Sequence, residues 1–298
     1  MAHNTLKSDG CLLLTATIWG FAFVAQRVGM DHVGPFAFNG IRFALGSLCL
    51  IPLMILTRED EARVARTVPP SGLGTIVLGG GMAGIALFMG ASLQQVGLVY
   101  TTAGKAGFIT GLYVVIVPIL GLFFGQRSSL GNWGGAILAA AGLFLLSVNE
   151  ALTIAFGDLL EVIGAFFWAG HVLVIGRFSP RINALRLAFV QYSACAVLSL
   201  LTALVFETTT LSGIGRAAVP ILYGGIASVG IAYTLQVVAQ KSAHPAHAAV
   251  LLSLESVFAA LGGWLLLGET LSTRGLVGCG LMFCGMLLSQ LWGMMRKK

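Results

Sequence analysis

Apolar residues run along this chain in blocks of 17 to 25, each closed by a charge, a proline or an asparagine. A hydrocarbon layer about 30 Å thick needs about 20 apolar residues at about 1.5 Å per helical residue, so each block has the length of one membrane crossing. Ten such blocks occur, at 9–29, 34–57, 71–93, 99–124, 129–148, 157–177, 184–206, 214–239, 245–267 and 272–294. The joints between them are mostly short, which predicts an all-α polytopic bundle of ten transmembrane helices.

The pattern repeats. Residues 101–147 set against 244–290 align Gly125-Gln126 with Gly268-Glu269, Ala103 with Ala246 and Leu138 with Leu281, each pair 143 positions apart. Trp19 and Trp168 each fall about ten residues into the first span of a half, behind a segment that opens with Asp9 or Asp158. Residues 1–150 and 151–298 therefore read as two five-helix repeats of one membrane domain. Five is odd, so the second half enters the membrane from the opposite side, a five-plus-five inverted repeat of the kind many transporters use.

Composition agrees with lipid as the main solvent: 57% of the 298 residues are hydrophobic, 9% are charged, and the mean hydropathy is +0.93. The net charge of +6 would suggest nucleic acid in a soluble protein, but here the basic residues sit in short loops and report orientation. With the N-terminus cytoplasmic, that side receives Lys7, Arg58, Arg63, Arg66, Arg127, Arg177, Arg181, Arg186, Lys241, Arg296, Lys297 and Lys298. The other side receives Arg27, Arg216 and Arg274, and Arg42 and Lys105 fall inside spans. Twelve against three predicts that both termini are cytoplasmic. The first apolar run leads into Gln26 and Arg27 and not into a small-residue cleavage site, so it reads as the first span. Cys11, Cys49, Cys195, Cys279 and Cys284 lie in apolar stretches without metal-ligand spacing and read as reduced packing residues. Gly79-Gly80-Gly81 with Gly84, Gly107 with Gly111, and Gly131 with Gly135 mark faces where helices approach closely.

Further motifs bring in a family. Ala246 through Ala249, Leu252-Ser253-Leu254-Glu255, Phe258-Ala259-Ala260, Leu265-Leu266-Leu267-Gly268-Glu269 and Gly278 resemble the closing signature of EamA-type members of the drug/metabolite transporter superfamily. Thr101-Thr102-Ala103, Pro118 and Gly125-Gln126 resemble its first-half counterpart, and Trp19-Gly20 resembles the tryptophan-containing first span. The resemblance covers nearly the whole chain and is strongest to the YddG-type branch of amino-acid exporters. It implies an inner-membrane location, export of amino acids or related metabolites, a cavity walled by spans one to four and six to nine, and spans five and ten bracing the periphery. Two departures stand out. Ser256 occupies a position where many relatives carry proline after the glutamate, which puts a kink in span nine in question. Gln126 replaces the acid of the Gly-Glu pair, which suggests two unequal gates.

Ionisable residues deep in a span are functional candidates by default. Of eleven acidic residues, Glu255 is the one read near the middle of a span, as a ligand for a substrate ammonium, a proton carrier, or a structural hydrogen-bond partner. Arg42 and Lys105 lie in the outer parts of spans two and four; Arg42 offers a fork to a substrate carboxylate, whereas Lys105 is expected to snorkel to the interface. Trp19, Trp168 and His171 fall at similar depth in repeat-related spans. The tryptophans are candidates for the aromatic walls of a midplane site. His171 is a candidate proton carrier or a neutral, hydrogen-bonded core residue. Tyr113, Tyr192, Tyr233 and Gln236 add polar partners where they point inward.

His244 and His247 are neighbours at the mouth of span nine, with no third ligand for a metal, and no cofactor motif occurs. Glu269 is expected to stabilise the turn into span ten, beside unpaired helix amides. Phosphate-loop, zinc-protease and nucleophile-elbow motifs are missing, which argues against an ATP-driven pump or a hydrolase. The expected protein is an alternating-access exporter of neutral amino acids, aromatic or otherwise apolar, acting as monomer or homodimer with membrane lipid and a small-molecule substrate as its partners. The alternatives are an exporter of drugs or cationic metabolites and, in a different class, an intramembrane enzyme or scaffold.

Overall fold

The computed structural model describes residues 2–57, 72–124, 130–147, 154–243 and 245–295. Gly125-Gln126, His244 and seven of the orienting charges (Arg58, Arg63, Arg66, Arg127, Arg296, Lys297 and Lys298) lie outside the described residues. Besides a short helix at Leu211–Arg216, ten long helical stretches follow in order among the described residues: α1 (Ala2–Gly29), α2 (Pro35–Leu56), α3 (Leu73–Tyr100), α4 (Ala103–Gly121) and α5 (Leu130–Ser147) in the first half. The second half has α6 (Phe156–Phe178), α7 (Ala184–Phe206), α8 (Ala218–Ala239), α9 (Pro245–Leu267) and α10 (Thr273–Met295). Eight are long and apolar enough to cross a membrane, while α5 and α10 contain the shorter apolar stretches Trp133–Leu146 and Thr273–Leu288. Among the described residues there is no strand, and the bundle is the five-plus-five inverted repeat expected from the sequence.

Exposure is inverted relative to a soluble protein. Leu56, Ile85, Leu204 and Leu266 are turned outward, and Gln95, Asp158, Gln191 and Glu255 are turned inward. Only an apolar surrounding makes that distribution favourable.

The same surrounding requires helix ends to satisfy their own amides. Pro35 starts α2 where no amide is needed, Thr102 caps α4, and the Asn183 side chain accepts from Leu185 N and Arg186 N at the head of α7. Two carboxylates act across elements. Glu207 accepts from Phe36 N and Ala37 N at 2.9 and 2.8 Å, and Glu269 accepts from Ala103 N and Gly104 N at 2.8 and 3.0 Å. Glu269 thus serves the start of α4 and not its own turn into α10, because the end of α9 brings it beside a foreign helix terminus. Gly268 makes that placement possible, closing α9 at φ 64°, a left-handed conformation in which a side chain is strained.

Helices α4 and α9 are each interrupted near the middle. In α4 the regular turns stop at Thr110 and resume at Tyr113; in α9 they stop at Ser253 and resume at Glu255. Gly111 and Leu254 are 143 positions apart, so the breaks are repeat-related. Leu254 N bonds Leu251 O and Val257 N bonds Leu254 O, the tighter i, i+3 pattern. Span nine therefore breaks without a proline. Ser256 takes a different part, donating its hydroxyl to Gly107 O of α4 at 2.8 Å, and Gly107 and Gly111 provide the space for Ser256 and Ala259. Helix α8 holds an 11-residue π-helical segment, Tyr223–Tyr233, which the sequence pattern did not announce.

Glycines set the remaining close contacts. Gly20 of α1 lies against Glu255 O and Phe258 of α9, and Gly142 of α5 lies against Gly278 O and Met282 of α10. Gly79, Gly80 and Gly84 of α3 face α6 and α7, whereas Gly81 faces open space. Helices α5 and α10 pack on each other and contribute nothing to the central cavity, the bracing arrangement the resemblance implied.

Candidate functional site: a polar cavity between the halves

All seven candidate residues face one cavity. Helix α1 provides Trp19, α2 Arg42, α4 Tyr113, α6 Trp168 and His171, α8 Tyr233, and α9 Glu255. Gln94 of α3 completes the wall with Gln26, Thr110, Ser228 and Gln236. No residue of α7 reaches the surface of the cavity, which corrects the expectation that span seven would wall it. Gln191 and Tyr192 of α7 stand one layer back, holding the lining residues His171 and Tyr233 from behind.

Tyr233 is the hub of the aromatic wall. Its ring centroid is 4.3 Å from Trp19, 5.9 Å from Phe43, 6.0 Å from His171 and 6.2 Å from Trp168, the last nearly parallel at 26°. The repeat-related tryptophans are not equivalent. Trp19 Nε1 donates to Ser228 O at 3.3 Å, a carbonyl of the π-helical segment, whereas Trp168 Nε1 has no partner among the described residues and its indole lies over Gly90. His171 Nε2 donates to Gln191 Oε1 at 2.8 Å, which fixes the ring.

Two ionisable groups of opposite type, a guanidinium and a carboxyl, face the cavity without an ion-pair partner among the described residues. Arg42 is 2% exposed, stacks over Phe43 at 4.9 Å and Phe38 at 5.7 Å, and uses Nε to donate to Asn39 Oδ1 at 3.0 Å, which leaves its Nη groups for the cavity. Glu255 is 4% exposed and sits in the first turn after the break in α9, where free amides favour a carboxylate. The Tyr113 hydroxyl lies near it. The cavity itself measures about 30 Å³. At about 10–15 Å³ per water that is space for two or three waters, too little for an amino acid, so the site is contracted.

Each end is held by a side-chain pair joining a first-repeat helix to a second-repeat helix. At the face where α1 begins, His247 Nε2 donates to Asp9 Oδ1 at 2.8 Å and Ser8 donates to Ala239 O at 3.0 Å. At the opposite face Lys105 Nζ donates to Asp158 Oδ2 at 2.5 Å, and Thr101 donates to Asp158 Oδ1 at 2.7 Å. Lys105 is therefore paired with a buried carboxylate and does not snorkel, because α3, α4 and α6 close around it. Asp9 and Asp158, noticed in the sequence only as anchors of the repeat, occupy corresponding places in these two pairs.

Sequence reasoning missed Glu161, which is fully buried one turn inward from Asp158. Its place near the start of a span suggested an interfacial acid, but the end of α3 covers it, with Gly97 lying against Oε1. Two acids one turn apart on α6, with a lysine inside span four, were the available signal.

These elements define a ten-helix membrane carrier with a central cavity between two inverted halves. A family match says which kind: the chain belongs to the EamA-like transporter family of the drug/metabolite transporter superfamily, whose profile matches residues 6–148 and again 155–291. An uncharacterised transporter of Archaeoglobus fulgidus is 33% identical over 96% of this chain and 86% of its own length. A Salmonella typhimurium protein named a probable amino-acid metabolite efflux pump is 27% identical over 95% of both chains. The Escherichia coli uncharacterised inner membrane transporter YedA is 24% identical over 91% of this chain and 86% of its own. A crystal structure 21% identical in sequence superposes over 100% of both chains with a TM-score of 0.70, which supports the fold.

Proposed function

We propose that this transporter exports neutral amino acids, aromatic or otherwise apolar, by alternating access through the central cavity. The observation that carries the reading is a buried Arg42 and a buried Glu255 facing one cavity, neither with an ion-pair partner among the described residues. A lone buried charge is costly, and a zwitterion presents one complementary group to each. Arg42 offers its fork to the α-carboxylate, Glu255 and the faces of Trp19, Trp168 and Tyr233 receive the ammonium, and the same rings cover an apolar side chain. The printed name of the Salmonella relative points the same way for that protein.

The reading includes residues 1–150 and 151–298 as the two repeats, a bacterial inner membrane, and cytoplasmic termini, the last supported by twelve basic residues against three. A second reading, export of hydrophobic cations, draws on the aromatic wall around Tyr233 together with Glu255, but Arg42 opposes a cation in the same space.

The test is counterflow into liposomes holding trapped unlabelled phenylalanine, with labelled phenylalanine outside. Saturable uptake is expected, with loss of flux in Glu255→Gln and in Trp168→Ala while both variants remain folded. Unchanged flux in both variants overturns the site. Inhibition by tetraphenylphosphonium but not by leucine supports the cation reading instead.

A further inference from the structure

We propose that Glu161 is a proton-carrying carboxyl joined to the cavity through the Thr110 hydroxyl, and that one proton moves opposite to the solute on each cycle. The proposal extends the amino-acid reading above and rests on it for the identity of the solute only.

Glu161 lies in α6 outside the cavity lining and is 0% exposed. One of its oxygens, Oε2, accepts from Thr110 Oγ1 at 3.1 Å, and Thr110 does line the cavity. The other, Oε1, has no hydrogen-bond partner among the described residues and rests beside Gly97, where no side chain intervenes. No cation reaches Glu161 among the described residues. Lys105 of α4, nearby, is engaged with Asp158. The titratable groups that act on it are Asp158 on its own helix and Glu255 on α9; α4 brings the Thr110 hydroxyl and the Lys105 held by Asp158, and α3 packs Gly97 against it with Tyr100 one turn further along. Asp158, Glu161 and Glu255 thus form a file of carboxyls from one face to the middle of the bundle, with hydroxyls of Thr101 and Thr110 beside the first two.

A carboxyl buried in a membrane bundle without a fixed counter-ion is placed to take up and release a proton. The hydroxyl gives the route. A donor in the cavity, hydronium or the Glu255 acid, protonates Thr110 Oγ1 as that oxygen passes its own hydrogen to Glu161 Oε2. Thr110 ends neutral, Glu161 ends as the acid, and the cavity donor ends one proton poorer. Release proceeds outward past Asp158, one turn away on the same helix.

Two measurements test this. Infrared difference spectra of the reconstituted protein between acid and alkaline buffer read carboxyl protonation without any solute. Glu161→Gln is expected to remove one titrating carboxyl band, and spectra identical to wild type overturn the proposal. With labelled phenylalanine, a pH gradient is expected to drive accumulation in wild type at least tenfold above the level without one. Glu161→Gln and Thr110→Val are expected to abolish that accumulation, while Glu161→Gln keeps counterflow at equal pH within about twofold. Gradient-driven accumulation that survives Glu161→Gln, or a wild type whose counterflow ignores the gradient, refutes proton exchange through this residue. Absence of phenylalanine counterflow in wild type counts against the amino-acid reading, and the infrared result then decides Glu161 by itself.

Discussion

Arg42→Met is the most informative single change. The guanidinium has one N–H committed to Asn39 Oδ1 at 3.0 Å and its Nη groups directed to the cavity. A hydrogen bond to a charged group contributes about 1.5–3 kcal/mol net, so the two a carboxylate accepts from the fork are worth about 3–6 kcal/mol. At about 1.4 kcal/mol per factor of ten, the lower end alone weakens binding by about 100-fold. Methionine keeps an apolar stem against Phe43 and Phe38, which separates loss of charge from loss of packing. Arg42→Lys keeps the charge but offers a single point of attachment, and a loss of about tenfold is expected.

The assay is competition against labelled phenylalanine by phenylalanine itself and by phenethylamine, which lacks only the carboxylate. Wild type is expected to prefer the amino acid strongly, and Arg42→Met, in enough flux to measure at raised solute, is expected to treat the two alike. An Arg42→Met protein that is folded by size exclusion and still prefers phenylalanine as wild type does would falsify the assignment of the carboxylate to Arg42.

Three further outcomes follow from packing, capping and charge. Gly20→Ala places a methyl where α9 carries Phe258 and Glu255 O and is expected to cost about 1–3 kcal/mol, seen as a lower Tm in detergent, while Gly81→Ala, which meets nothing within 4 Å, shifts it little. Glu269→Ala strips the cap from Ala103 N and Gly104 N and is expected to destabilise by about 1–2 kcal/mol, with Glu269→Gln, which keeps an acceptor, recovering about half. A C-terminal affinity tag is expected to resist protease added to spheroplasts, whose inner membrane is intact and exposed, and to be cleaved after lysis; cleavage in intact spheroplasts reverses the orientation.

The sequence made the spans legible because a membrane crossing imposes a length that no side-chain detail can hide. It also made the lining legible where a polar or aromatic residue sat at mid-depth, as with Trp19, Trp168 and Glu255. Depth along one helix says nothing of what neighbouring helices cover. Asp158 and Glu161 fall in the first turns of α6 and look interfacial, yet Gly97 and Lys105 enclose them. Glu269 could be placed at a turn but not beside α4, whose approach depends on the geometry of α9. The break at Leu254 was obscured because proline is the usual sign of a broken helix and this chain uses none there. The π-helical stretch of α8 has no period that local sequence displays, and its effect, turning the Ser228 carbonyl toward Trp19, is set by tertiary contact.

If the carrier alternates as proposed, the Asp9–His247 and Lys105–Asp158 pairs are the two arms of a balance. Opening one face parts one pair and leaves the other closed as a fulcrum, so the resting ratio of outward- to inward-facing protein depends on the difference between two small energies and not on their sum. That difference is tunable far from the solute: Lys105→Met lightens one arm and Asp9→Asn the other, and the two together restore the tilt while quickening the swing. The side on which such a carrier rests, and its apparent affinity from either side, is therefore evolvable through four residues at its rims, with the recognition chemistry at its centre left untouched.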